Sequence, residues 1–133
     1  MEELQDNIKI TIKTELNKTE DKTNLIDAMA NIVDIDYDVR GKEIIGKFTD
    51  YKKLMNLYDT LRNRQTTHIA RKVLMRNSEK DMTYILFNKQ AAAIDSIVIC
   101  ENSKESPLGP IFMKIKTENI LEFIDWFVPR YKT

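Results

Sequence analysis

The sequence predicts an α+β protein, a largely antiparallel sheet of about six strands with helices packed on one face. Three observations predict it. Asn7 to Leu16 and Ile111 to Lys116 alternate apolar and polar residues with a period of two, the mark of strands with one wet face. Three stretches repeat apolar residues at helical spacing. The strands do not alternate regularly with helices, which disfavours a parallel sheet.

The elements follow in order. Ile8, Ile10 and Ile12 alternate with Lys9, Thr11 and Lys13 in a first strand. Thr19 is the expected cap of the next helix, with Glu20 and Asp21 in its first turn. Leu25, Ile26, Met29, Ile32 and Val33 form its core stripe. Ile35 to Val39 and Lys42 to Phe48 read as a hairpin turning at Arg40-Gly41-Lys42. Asp34, Asp36 and Asp38 would then share one strand face, expected to be solvated.

Asp50 caps a second helix with the stripe Leu54, Leu57, Tyr58 and Leu61. Gln65-Thr66-Thr67 is an expected break or bend, because threonine favours caps over helix interiors. Ile69, Ala70, Val73 and Leu74 resume the pattern. Met82 to Phe87 is an expected central, deeply buried strand, Asn88 to Ala92 its end, and Ile94 to Cys100 another strand. Glu101 to Glu105 is a charged loop, and Pro107-Leu108-Gly109-Pro110 a rigid turn. After the strand Ile111 to Lys116, Thr117 is the expected cap of a last helix with Ile120, Leu121, Phe123, Ile124, Phe127 and Val128 on its apolar side, ended by Pro129.

At 133 residues the chain is expected to be a single domain, residues 1–133. Its 42% hydrophobic and 32% charged residues suit a globular protein. Lys+Arg and Asp+Glu are both 21, so any nucleic-acid binding has to come from local charge asymmetry. The opening MEELQDN is unlike a secretory signal peptide, and no apolar run approaches the roughly 20 residues of a membrane span. Cys100 is the single cysteine, expected at the end of a buried strand, so a cytoplasmic location without membrane contact is expected.

The densest cationic run lies between Thr60 and Ser78, where Arg62, Arg64, Arg71, Lys72, Arg76 and the single histidine, His68, occur without an acid. On a helix running from Arg64, residues Arg64, His68, Arg71 and Met75 form one stripe beside Lys72 and Arg76. Guanidinium groups grip phosphate bidentately, and Lys89 would add a point charge. The expected RNA-binding set is therefore Arg62, Arg64, His68, Arg71, Lys72, Arg76, Lys89 and Gln90. Tyr58 and Tyr84 read first as core, so phosphate or shape recognition is expected over base reading.

No complete catalytic constellation is present, and neither enzymatic activity nor a cofactor is expected. Two other readings stay open. One is a protein-interaction adaptor using an apolar patch that includes Trp126 and Phe112. The other is a metal-dependent nuclease built on Asp34, Asp36 and Asp38, or on Asp95 with Glu101.

The second half of the chain resembles the archaeal uncharacterised family UPF0201, which carries RNA-binding and exosome-subunit labels. The resemblance rests on Leu61-Arg62-Asn63-Arg64-Gln65, on Ile69-Ala70-Arg71, on Phe87-Asn88-Lys89-Gln90-Ala91-Ala92, on Pro107-Leu108-Gly109-Pro110-Ile111 and on Ile124-Asp125-Trp126-Phe127-Val128-Pro129. It implies a fold like that of the large-subunit ribosomal protein that binds 5S RNA. It also implies an archaeal, cytoplasmic protein. The expected partners are RNA and an RNA-processing or ribosomal protein complex, with the chain a monomer or weak dimer.

Overall fold

The computed structural model describes residues 8–106 and 108–130. Its centre is a six-stranded sheet, antiparallel throughout. The strands are β1 (Lys9–Glu15), β2 (Asp38–Arg40), β3 (Glu43–Phe48), β4 (Met82–Phe87), β5 (Ile99–Cys100) and β6 (Ile111–Lys116), in the spatial order β2-β3-β1-β6-β4-β5. The helices are α1 (Lys22–Ile32), α2 (Met55–Thr60), α3 (Arg64–Arg76), α4 (Lys89–Ala93) and α5 (Ile120–Phe127). The α+β class and the one-sided helical layer match the expectation.

The β1 strand sits between two partners. Ile12 lies opposite Gly46 of β3 and Met113 of β6. Its alternating side chains put Ile8, Ile10, Ile12 and Thr14 on one face, with Ile44, Thr83, Ile85, Phe87, Ile111, Met113 and Ile115 from the neighbouring strands. This face meets the buried stripes of the helices in one core, with Leu25, Met29, Leu57, Val73, Leu74, Phe123 and Phe127 all nearly inaccessible. Burial of such side chains is the main favourable term in folding.

Two glycines shape the β3 side. Gly41 opens the two-residue turn of the β2–β3 hairpin at φ +63°, a conformation that glycine adopts without penalty. Gly46 leaves room for Tyr37, whose ring carbons lie 2.6 and 2.7 Å from where a Cβ would stand. Tyr37 in turn donates its hydroxyl to the Val33 carbonyl at 2.7 Å, which ties the segment leading into β2 to the end of α1. Burial raises the Tyr37 pKa, and the charge of Asp34 adds to the shift.

Several local expectations are corrected. Asp21, not Thr19, caps α1, accepting from the Thr23 and Asn24 amides at 2.8 and 3.2 Å. Asn119, not Thr117, caps α5; the Thr117 amide still donates to the Asp81 carbonyl at the end of the sheet. The helical break falls at Arg62-Asn63, where Asn63 caps α3. Thr67 sits inside that helix because its buried hydroxyl finds the Leu61 carbonyl. Asn88 to Ala92 is not a strand end: Asn88 caps α4, accepting from the Ala91 amide at 2.8 Å. Only Ile99–Cys100 of the expected strand from Ile94 forms β structure. Met82 to Phe87 is next to the short edge strand and not central; Thr83, Ile85 and Phe87 are buried, and the alternate residues are half-buried. Asp34 and Asp36 precede β2, so the three aspartates do not share a strand face. The expected turn at Pro107 lies outside the described residues.

Gly46→Ala is expected to lower the unfolding free energy by about 1–3 kcal/mol, because Tyr37 and Ile35 would have to move. It would appear as a lower urea midpoint at constant slope. An unchanged midpoint would show that Tyr37 does not depend on the missing Cβ. Cys100 is buried, and burial followed by the charge of Glu105 raises its pKa. The native thiol should therefore label slowly with a thiol reagent and rapidly once the protein is unfolded in urea. Fast labelling of the folded protein would contradict the burial.

Candidate nucleic-acid interface

The expected site residues do not form one free cationic surface. Arg62, just before α3, stacks over the Tyr58 ring at 4.0 Å and donates to the carbonyls of Tyr58 and Phe127. Arg71 donates to the Val128 carbonyl at 3.1 Å and pairs with Asp125 at 2.8 Å, leaving its side chain 16% exposed. Both arginines thus fasten the start and middle of α3 to the end of α5. Lys72 and Arg76 share Glu101, at 3.3 and 3.8 Å, and Arg76 also donates to the Glu101 carbonyl at 2.6 Å. His68 is exposed on α3. Arg64 is the first residue of that helix, and its side chain lies outside the described part of the structure.

Lys89 is the clearest correction. Its expected place is the surface, yet its side chain is 3% exposed. Its ammonium has three donors. They meet the Glu15 carbonyl at 2.9 Å, the Leu108 carbonyl at 2.8 Å and Glu20 Oε1 at 3.1 Å. The charge locks α4 against the end of β1, the turn before α1 and the turn before β6, and is not available to a phosphate. Gln90 is exposed, with its Oε1 3.5 Å from the Ser106 hydroxyl.

Burial by itself would raise the Glu20 pKa, but the Asn17 amide and side chain and the Lys89 ammonium together outweigh it and lower the value below 4.5. A carboxylate with a lowered folded pKa contributes stability above its unfolded value and loses it as pH falls through the folded one.

A second concentration of positive charge is on the other side of the sheet. Antiparallel partners share a face, so the registers build the outer surface in three rows. The first row is Met82, Lys116 and Lys9; the second is Tyr84, Lys114, Thr11 and Lys47; the third is Leu86, Phe112, Lys13 and Ile45. None of these apolar residues belongs to the core or packs against it. Among the described residues no helix covers this face, and none of the five lysines is in an ion pair. The carboxylates Glu15 and Glu43 face each other only at the far end, and Asp38 is on the edge strand. Lys9, Thr11, Lys47, Thr49, Lys114 and Lys116 line a depression of about 420 Å³. Beside it the Tyr84 and Phe112 rings stack at 5.2 Å, and the Lys13 ammonium lies 5.5 Å from the Phe112 centroid. Tyr84 is therefore not a core residue, whereas Trp126 packs inside, against Tyr51, Tyr58, Phe123 and Phe127.

The sequence pattern places Lys9 and Lys13 on a wet strand face but does not bring the three lysine-bearing strands together. The available signal is the same period of two in both β1 and β6, each with two lysines on its outward positions. Among the described residues no group of three or more His, Cys, Asp or Glu side chains could hold a metal ion, and no helix is long and apolar enough to cross a membrane.

Fold and surface together define an antiparallel α+β protein with one helical layer and one bare, lysine-bearing sheet face. A family model described as RNA binding matches residues 9–117. A UPF0201 protein of Saccharolobus islandicus is 31% identical over 128 residues, covering 92% of this chain and 88% of that one. A UPF0201 protein of Saccharolobus solfataricus is 30% identical over the same coverage. The crystal structure of a UPF0201 protein from Methanococcus jannaschii superposes with a TM-score of 0.76 at 28% identity, covering 93% of this chain and 95% of that one. The structure of an uncharacterised UPF0201 protein superposes with a TM-score of 0.79 at 24% identity, covering 94% and 96%. The chain belongs to the archaeal UPF0201 family.

Lys89→Met is expected to destabilise the fold by about 3 kcal/mol, because it takes the counter-charge from the half-buried Glu20 and a donor from two carbonyls. In the wild type, stability should decline as pH falls below 4.5, and Glu20→Gln should flatten that part of the decline. Urea titrations across acid pH measure both effects. A Lys89→Met midpoint equal to wild type would contradict the structural role.

Proposed function

We propose that this protein is an RNA-binding module that holds its ligand by phosphate contacts on the open face of the sheet. The observation that carries the reading is the row structure of that face. Lys9, Lys13, Lys47, Lys114 and Lys116 stand on three adjacent strands, and the acids on the same face of those strands, Glu15 and Glu43, are confined to the end away from Lys9 and Lys116. Lys9 is directly opposite Lys116, and like charges so placed are destabilising unless an anion relieves them. Such a patch attracts a polyanion even though the whole chain is neutral. The description of the matching family model, RNA binding, supports the same ligand class. The chain then acts by binding, without a catalytic step.

His68, Lys72 and Arg76 belong to the helical layer, on the opposite side of the sheet, and two of them already hold Glu101. They are a secondary surface on this reading. A protein adaptor is the second reading, favoured by Ile94 at 79% and Val98 at 46% exposure beside the short edge strand β5.

Each phosphate that a lysine neutralises adds about −0.7 to the log–log salt slope for a single strand. With four or five such lysines, the affinity for RNA should fall with salt at a slope of about −3. Lys9→Gln/Lys116→Gln should make the slope shallower by about 1.4, whereas Lys72→Gln/Arg76→Gln should leave it nearly unchanged. Fluorescence anisotropy across a salt series measures this. The opposite pattern would move the site to α3, and no binding at low salt would end the RNA reading.

A further inference from the structure

We infer that the open face selects unpaired RNA, with bases stacking at Tyr84 and Phe112 while a phosphate sits in the depression formed by Lys9, Lys114 and Lys116. The inference rests on the reading of that face as the RNA surface and adds the form of RNA that it takes.

Tyr84 and Phe112 stand on the adjacent strands β4 and β6. An aromatic pair on the outer face of a sheet gives some cross-strand stability by itself. These rings, however, are placed on the bare face in the same rows as the lysines. Lys114 is the direct cross-strand neighbour of Tyr84, and Phe112 that of Lys13. Apolar rings surrounded by unpaired ammonium groups offer a ligand two chemistries together, stacking and charge.

A duplex can use only one of them. Its phosphates are outside, but its bases are stacked on one another and shut away from a nearly flat protein surface. An unpaired strand presents both, and sheet surfaces with aromatic side chains hold two or three splayed bases in this way. The geometry supplies the span. From Lys47 to Tyr84 there are three strand-to-strand steps, about 14 Å in all. A strand of RNA lying across β3, β1, β6 and β4 would keep its backbone over the depression and turn bases onto the rings.

Lys13 completes the arrangement. Its ammonium lies over the Phe112 ring at 5.5 Å, where an incoming base would stack. Stacking of a base is worth more than an exposed ammonium against the same ring. The base therefore displaces Lys13, whose flexible stem lets the charge move to a phosphate.

The test compares a short fluorescein-labelled oligoadenylate with a duplex of equal phosphate count, using the full chain and its variants in an anisotropy titration at low salt. The single strand is expected to bind at least about tenfold more tightly. Phe112→Leu and Tyr84→Leu should each weaken it about 5- to 100-fold with an unchanged salt slope, and should leave duplex affinity unchanged. Phe112→Trp should retain single-strand binding. Unchanged urea midpoints confirm that the variants are folded, since both rings lie outside the core. Equal affinity for both RNAs, or leucine variants that bind like wild type, would overturn the stacking inference. The lysine reading would stand in that case if Lys9→Gln/Lys116→Gln still weakens binding, and would fall if it does not.

Discussion

The structure depends on the antiparallel pairing of β1 with β3 on one side and β6 on the other. That register sends Ile8, Ile10 and Ile12 into the core and Lys9, Thr11 and Lys13 to the outer face. A slip by one residue would exchange the two sets, burying lysines and exposing isoleucines, so the core enforces the register. The same constraint gathers the outward lysines of β3 and β6 beside those of β1. The charged surface is thus a consequence of the pairing that builds the core.

The strongest cationic signal in the sequence serves a different end. Arg62 and Arg71 direct their planar donors to carbonyls at the end of α5 and to Asp125, and Lys89 uses all three of its donors inside the protein. Buried or half-buried cations need such partners, because an unpaired charge out of water is costly. Density of positive residues along a helix therefore marks the helix that has to be fastened. The cations gathered on the open face are lysines on strands, where the backbone is already satisfied and the side chains are left without ion pairs.

Much of the architecture was legible. The period of two in β1 and β6, the helical stripes in α1 and α5, and the turn at Gly41 each depend on local pattern, and the structure follows them. The resemblance of the blocks from Leu61 to Pro129 to UPF0201 agrees with the family comparison. What was not legible depended on distant partners. Asp21 replaces Thr19 as a cap because Glu20 is drawn into contact with Asn17 and Lys89. The short helix α4 exists because Asn88 caps it and because Asn31 of α1 donates to the Ala92 carbonyl. Tyr84 alternates like a core residue, and only the strand register shows which side of β4 meets the helices. The lysine face needed three strands from opposite ends of the chain, which no local window contains.

The most direct test of this account is an amide chemical-shift titration of the labelled protein with a short unpaired RNA. The account predicts that the shifts concentrate on β1, β3 and β6, at Lys9, Thr11, Lys47 and Lys114, and extend to Tyr84 and Phe112, while α3 from His68 to Arg76 stays still. Shifts confined to α3 with a silent sheet would contradict it and return the interface to the cationic helix.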